Sequence, residues 1–264
     1  MKDEGQFRLD DRVVAVVGAA SGIGEAVARA CARQGAHVVA IDVNNAGVAL
    51  TASRISDAGG SAEWHVADIV DGESVEALFA KLAATHGRLD GAVSTPSINV
   101  RKTLLNYSEE EFERVLRVNL KGNFNVLRAA GRVMTARGRG SIVLFSSIRS
   151  QVVEPGQGIY AATKAGILQM ARAAAAEFGP SGVRVNAVAP GVTETPLTAP
   201  IKSNPAWYGA YAAKTVFNRW ASADEMAGPT VFLLSDAASY VTGTLLVVDG
   251  GWLAVDGRFQ PPGM

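Results

Sequence analysis

The stretch Arg12-Val13-Val14-Ala15-Val16-Val17-Gly18-Ala19-Ala20-Ser21-Gly22-Ile23-Gly24 decides how this chain is read. Its first half is a near-continuous apolar run rich in β-branched residues, the pattern of a strand buried on both faces of a parallel sheet. Its second half is a glycine-rich turn leading into a helical stretch, Ile23 to Gln34, with Gly35 as the C-terminal stop. Gly18 permits a tight turn, Gly22 leaves room for a pyrophosphate, and Gly24 lets the helix close on the strand. The free N–H groups of the helix N-terminus favour an anion at this point. Ser21 and Ile23 therefore join the three glycines as candidate cofactor contacts.

Outward from this turn the chain repeats one rhythm. His37–Asp42 is the second strand, and further strands are expected at Glu63–Val66, Gly91–Ser94, Ser141–Phe145, Val183–Val188 and Leu245–Val248. Helical stretches lie between them, at Ala46–Ala58, Glu73–His86, Glu109–Arg137, Gly158–Phe178 and Ala223–Ser235. Strand–helix alternation of this kind implies right-handed βαβ units in an α/β fold. The expectation is one Rossmann-type, doubly wound parallel sheet of about seven strands, helices on both faces, and a single domain over residues 1–264. One stretch, 193–221, breaks the rhythm. Rich in Pro, Ala, Tyr and Trp and placed after a strand end, it reads as a substrate lid.

Composition narrows the function. Basic and acidic residues number 25 each, so no charge excess favours nucleic acid or an anionic membrane surface. No apolar run approaches the ~20 residues of a membrane span, and the charged N-terminus does not resemble a secretory signal. A cytoplasmic location is the expectation. The one cysteine, Cys31, excludes an internal disulfide and reads as a small buried residue. His37, His65 and His86 show no metal-ligand spacing and read as structural, so no metal is expected.

Asp42 closes the second strand. A carboxylate there accepts hydrogen bonds from both adenosine ribose hydroxyls and repels a 2′-phosphate, which favours NAD(H) over NADP(H). Tyr160 and Lys164 stand at i and i+4 on one helix and share a face. An ammonium beside a phenol favours phenolate, so Tyr160 reads as a general acid/base. Ser147 follows the strand Ser141–Phe145 at the carboxyl edge and could hydrogen-bond a substrate oxygen.

With these residues in place the chain resembles the short-chain dehydrogenase/reductase family, from about Leu9 to Trp252. The family's T-G-x-x-x-G-x-G motif is matched at Gly18, Gly22 and Gly24, with Val17 in place of the threonine. Its Ser and Tyr-x-x-x-Lys set falls on Ser147, Tyr160 and Lys164. The resemblance implies a catalytic Asn119 that supports a proton relay to Lys164. It also implies cofactor contacts from Asp68 and Ile69, from Ser94 and Pro96, and from Pro190, Gly191, Val192 and Thr195, with Tyr160 and Lys164 also touching the cofactor. Members are commonly tetramers built on two long helices. A homotetramer (or homodimer) through Glu109–Arg137 and Gly158–Phe178 is expected, aided by the alanine face Ala171 to Ala176. The sequence departs from the family at Ser94-Thr95-Pro96-Ser97, where Asn-Asn-Ala-Gly is usual. Pro96 removes an N–H there and Ser97 replaces a glycine.

The implied activity is NAD-dependent interconversion of a secondary alcohol and a ketone. Arg149 and Arg101, with Asn99 and Lys102 nearby, could clamp an anionic small molecule such as a hydroxy acid or sugar derivative. A Glu154–Arg149 pair would cancel that attraction. Trp207, Tyr208 and Tyr211 could instead line an apolar pocket for a neutral cyclic or aryl alcohol. An NADP-dependent reductase and a non-catalytic NAD(H)-binding regulator are the rival readings.

Overall fold

A computed structural model describes residues 5–255. Seven strands form one sheet in the order β3-β2-β1-β4-β5-β6-β7, every neighbouring pair parallel. They are β1 (Val13–Val17), β2 (His37–Asp42), β3 (Ser61–Val66), β4 (Gly91–Ser94), β5 (Gly140–Phe145), β6 (Val183–Pro190) and β7 (Leu245–Val248). The order reverses between β1 and β4, which opens a crevice at their carboxyl ends, the place where open α/β sheets bind ligands.

The strand residues explain this arrangement. All five side chains of β1 are buried, in alternation between two cores. Val13, Ala15 and Val17 face one layer with Phe79, Met134 and Ile167. Val14 and Val16 face the other with Val27, Cys31 and Leu234. Each such valine contributes about 1.5 kcal/mol or more by leaving water. The first layer is built by α3 (Gly72–His86), α5 (Asn123–Arg137) and α6 (Gly158–Phe178). The second is built by α1 (Gly22–Arg33), α2 (Asn45–Asp57) and α9 (Ala227–Leu234). Cys31 is fully buried on α1, and burial pushes its thiol up to about 12, which leaves it inert.

Three expectations change. The helix expected at Glu109–Arg137 is divided: α4 (Glu109–Leu116) runs into a π-helical segment, Arg117–Gly122, before α5 begins. The stretch Ala223–Ser235 opens with a 3₁₀ turn at Ala223–Met226. On the alanine face of α6, Ala171, Ala174 and Ala175 are buried within the chain itself, because the sheet lies beneath them.

The segment 193–221 holds two short helices, α7 (Ala199–Lys202) and α8 (Pro205–Ala212). Its ends are stitched by a bridge between Thr193 and Ala221. Among the described residues no helix is long and apolar enough to cross a membrane.

Candidate active site

The glycine turn forms one wall of a cleft of about 740 Å³ at the carboxyl edge of the sheet. Gly18 and Gly22 hold φ of 87° and 56°, a region that side chains make costly. A Cβ on Gly24 would fall 2.0 Å from the Gly18 carbonyl oxygen, so helix and turn could not close. Ser21, Ile23, Asp42, Asp68, Ile69, Pro96 and Thr195 all line this cleft. Asp42 is held in place by N–H donors from Ala20 (3.0 Å) and Asn44 (2.9 Å), one to each carboxylate oxygen. Arg117 and Val118, which open the π-helical segment, also line the cleft, although no motif in the sequence marks them.

The unusual Ser94–Ser97 segment is braced by its own side chains. Thr95 Oγ1 donates to the Val17 carbonyl (3.0 Å), tying β4 to β1 at the glycine turn. Asn123 Nδ2 donates to the Pro96 carbonyl at 3.2 Å. Ser94 is not a cleft residue: it is fully buried, and its hydroxyl donates to Asn123 Oδ1 at 2.7 Å. Pro190 is also withdrawn, since it ends β6 buried opposite Val248.

A second cavity, of about 270 Å³, adjoins the cleft at Leu197. Ser147 and Tyr160 line it together, with Gly191 and Val192 beside them. Ser147 follows β5 and Tyr160 lies in the first turn of α6, so the sheet edge and the helix bring the two hydroxyls face to face. Burial raises the Tyr160 phenol above its ordinary value; the hydroxyls of Ser147 and Ser97 pull the other way. The Ser97 hydroxyl has no well-formed hydrogen bond of its own among the described residues.

Lys164, one turn further along α6, is fully buried. Its ammonium donates to the Phe145 carbonyl (2.9 Å) and lies 5.5 Å from the centre of the Tyr160 ring. Burial lowers its pKa to about 7. Asn119 sits in the π-helical segment with its side chain turned inward. It accepts from Ile98 N–H (2.8 Å) and donates to the Ile98 carbonyl (2.9 Å) and Thr163 Oγ1 (3.1 Å). Asn119 thus joins the loop after β4, at Ile98, to the helix that carries Tyr160 and Lys164.

The cationic wall differs from its sequence reading. Arg149 is buried and pairs with Glu154 at 2.6 Å, and Arg101 pairs with the same carboxylate. Burial opposes the charge on Glu154, yet hydrogen bonds from Arg101, Tyr211 and Gln157 hold its carboxyl below the ordinary range. Lys102 is drawn away to Glu111 (2.5 Å). Asn99 lines the cavity and donates to Gln157 at 3.2 Å. The apolar wall comes from Trp207, Tyr211, Ile201 and Trp220. Tyr208 does not line the cavity: it stacks on Trp220 (centroids 4.9 Å) and donates to Glu194 at 3.0 Å. Trp220 was missed because it stands at the far end of the irregular segment, where no periodicity points to a cavity.

A doubly wound parallel sheet whose glycine turn opens on a Ser-Tyr-Lys-Asn constellation defines a class. The chain belongs to the short-chain dehydrogenase/reductase family. A family model described as enoyl-(acyl carrier protein) reductase matches residues 18–253. The chain is 42% identical over 246 residues to cis-4-hydroxycyclohexanecarboxylate dehydrogenase of Sinomonas cyclohexanicum, covering 93% of this chain and 98% of that protein. It is 36% identical over 250 residues to D-threitol dehydrogenase of Mycolicibacterium smegmatis, covering 93% and 94%. A crystal structure of a gluconate 5-dehydrogenase from Burkholderia cenocepacia in complex with NADP and tartrate superposes with a TM-score of 0.92 at 34% identity, covering 95% of this chain and 98% of that one. Relatives that are dehydrogenases of hydroxylated substrates support an alcohol oxidoreductase.

Proposed function

We propose that this protein is an NAD(H)-dependent dehydrogenase that interconverts a secondary alcohol and a ketone, with a hydroxy acid or polyol-like substrate. The observation that carries the reading is the pair of hydroxyls, Ser147 and Tyr160, on one wall of a cavity that adjoins the glycine-turn cleft. The cleft suits a dinucleotide: Gly18 and Gly22 have left-handed φ, and Asp42 stands at the end of β2. A dinucleotide held by the glycine turn and Asp42 would supply the hydride acceptor, so that alcohol and NAD⁺ would give ketone, NADH and a proton.

The residues handle the rest. Tyr160 Oη takes the alcohol proton in oxidation and returns it in reduction. Ser147 Oγ donates to the substrate oxygen as charge develops there. In its protonated form Lys164 carries three N–H donors and Phe145 takes one, which leaves others for a ribose hydroxyl and for tuning the phenol. Asn119 acts as a positioning residue for the relay. Asp42 supports NAD(H) over NADP(H), since it meets the ribose hydroxyls with negative charge; the NADP of the Burkholderia cenocepacia structure favours the rival cofactor.

For substrate, two guanidiniums share one carboxylate at the cavity wall, so the Arg101–Arg149–Glu154 group retains a net positive charge. That charge supports an acid, and the 4-hydroxycyclohexanecarboxylate acted on by the Sinomonas cyclohexanicum relative joins an acid to a ring. The aromatic wall of Trp207, Tyr211 and Trp220 supports the second reading, a neutral cyclic alcohol. The segment 193–221 serves as the lid, hinged at the Thr193–Ala221 bridge. The described residues 5–255 act as one catalytic unit, assembled as a homotetramer through α4, α5 and α6, where Phe112 and Phe124 are left exposed.

The test is NAD⁺ reduction across hydroxy acids, polyols, sugars and neutral cyclic alcohols, followed by nicotinamide absorbance. Turnover of a secondary alcohol is expected, strongest for the acids. Absence of turnover with every member, under both NAD⁺ and NADP⁺, overturns the reading.

A further inference from the structure

All three histidines of the chain converge on one glutamate. His37 is the first residue of β2, Glu63 and His65 lie on the edge strand β3, and His86 is the last residue of α3. His86 Nε2 stands 3.0 Å and His65 Nε2 3.2 Å from Glu63 Oε1, while His37 Nε2 stands 3.9 Å from Glu63 Oε2. Ligand atoms of His37, Glu63 and His86 all lie within 4.8 Å of one another. The sequence hid this group, because its members come from three separate elements with no common spacing.

We propose that His37, Glu63 and His86 form a site for a borderline divalent metal ion, zinc foremost, with His65 or water completing the shell. His37 Nε2, at 3.9 Å from Glu63 Oε2, is too far to hydrogen-bond the carboxylate. Oε1 already faces His65 and His86, and His37 Nε2 is left out of solvent contact with no hydrogen-bond partner. A dication gives that stranded nitrogen and the carboxylate a shared partner. The other ring nitrogen of His37 meets Ser61 Oγ at 2.7 Å, the outer contact that fixes the tautomer and aim of a metal-binding histidine. Imidazole and carboxylate donors suit zinc, and two histidines with one glutamate form a recurrent ligand set.

Tetrahedral zinc with bonds near 2.1 Å wants ligand atoms about 3.4 Å apart. The ligand atoms of the three residues lie within 4.8 Å of one another, so the side chains would draw inward around an ion. A metal here would clip the edge strand to β2 and to the end of α3. None of its ligands lines the cleft or the cavity, so its role is structural.

The test uses tag-free, chelator-stripped full-length protein titrated with Co²⁺ by visible absorption and with Zn²⁺ by calorimetry and thermal melting. Expected are saturation at one ion per chain, a raised Tm that EDTA reverses, and the intense visible band of low-coordinate cobalt. His86→Gln should weaken Zn²⁺ by at least about tenfold, and Ser61→Ala by roughly 10–100-fold, with alcohol turnover unchanged in both as the control for folding. No saturable binding to the unmodified chain overturns the proposal. So does equal binding by the unmodified, His86→Gln and His37→Gln proteins, which would place the ion elsewhere.

Discussion

The ammonium of Lys164 donates to the main-chain carbonyl of Phe145 at 2.9 Å, fixing α6 to the end of β5. That contact sets a buried charge beside the Tyr160 ring, and burial lowers the lysine pKa from 10.5 to about 7. Between these values the folded protein holds fewer protons than the unfolded chain, so folded-state stability rises with pH across that window. It is lost again as pH falls toward 7 and is flat below. Lys164→Met removes this dependence. The stability of the cofactor-free protein minus that of Lys164→Met should climb from pH 7 to pH 9, by at most about 1.4 kcal/mol per pH unit. Urea unfolding at the two pH values measures it, and a flat difference contradicts the buried charge.

The proposed preference for NAD(H) rests on Asp42. Asp42→Ala removes the charge expected to repel a 2′-phosphate, and it also frees the Ala20 and Asn44 N–H groups. The KM for NAD⁺ should rise roughly tenfold or more, with a smaller rise or a fall for NADP⁺. Michaelis constants for both cofactors decide it; an unchanged ratio removes Asp42 from ribose recognition.

The shared carboxylate of Glu154 makes the cationic wall testable with a matched pair of substrates. Arg149→Ala should raise the KM for cis-4-hydroxycyclohexanecarboxylate by roughly tenfold or more, the worth of a hydrogen bond to a charged group. Cyclohexanol should be little affected. Equal effects on both would return Arg149 to a structural role with Glu154 and Trp252, whose ring it faces at 5.3 Å. Removing one partner of a buried pair also destabilises, by about 3 kcal/mol, so thermal melting accompanies the kinetics.

The sheet was legible because most of its strands are short apolar runs, and β2, β4 and β7 match their expected bounds; the polar edge strand β3 begins at Ser61, two residues before its expected start. The glycine turn and the Tyr160–Lys164 spacing were legible because local geometry alone places those residues. What escaped depends on distant partners. An extra residue per turn in Arg117–Gly122 leaves no mark on apolar periodicity, yet it turns Asn119 inward. The pairing of Arg101 with Glu154 joins residues from two different loops, and it alters the charge offered to a substrate. Tyr208 and Trp220 exchange places relative to the expected wall, because stacking within the irregular segment chooses which ring faces the cavity.

The most direct measurement is Tyr160→Phe, with kcat and cofactor affinity determined on one preparation. The substitution removes a single hydroxyl and keeps the ring that packs beside Lys164. If Tyr160 moves the proton, kcat for alcohol oxidation should fall by about 10²–10⁴-fold while NADH binding, followed by fluorescence, stays within about twofold. Undiminished turnover, or the same trace activity in both proteins, would contradict the account.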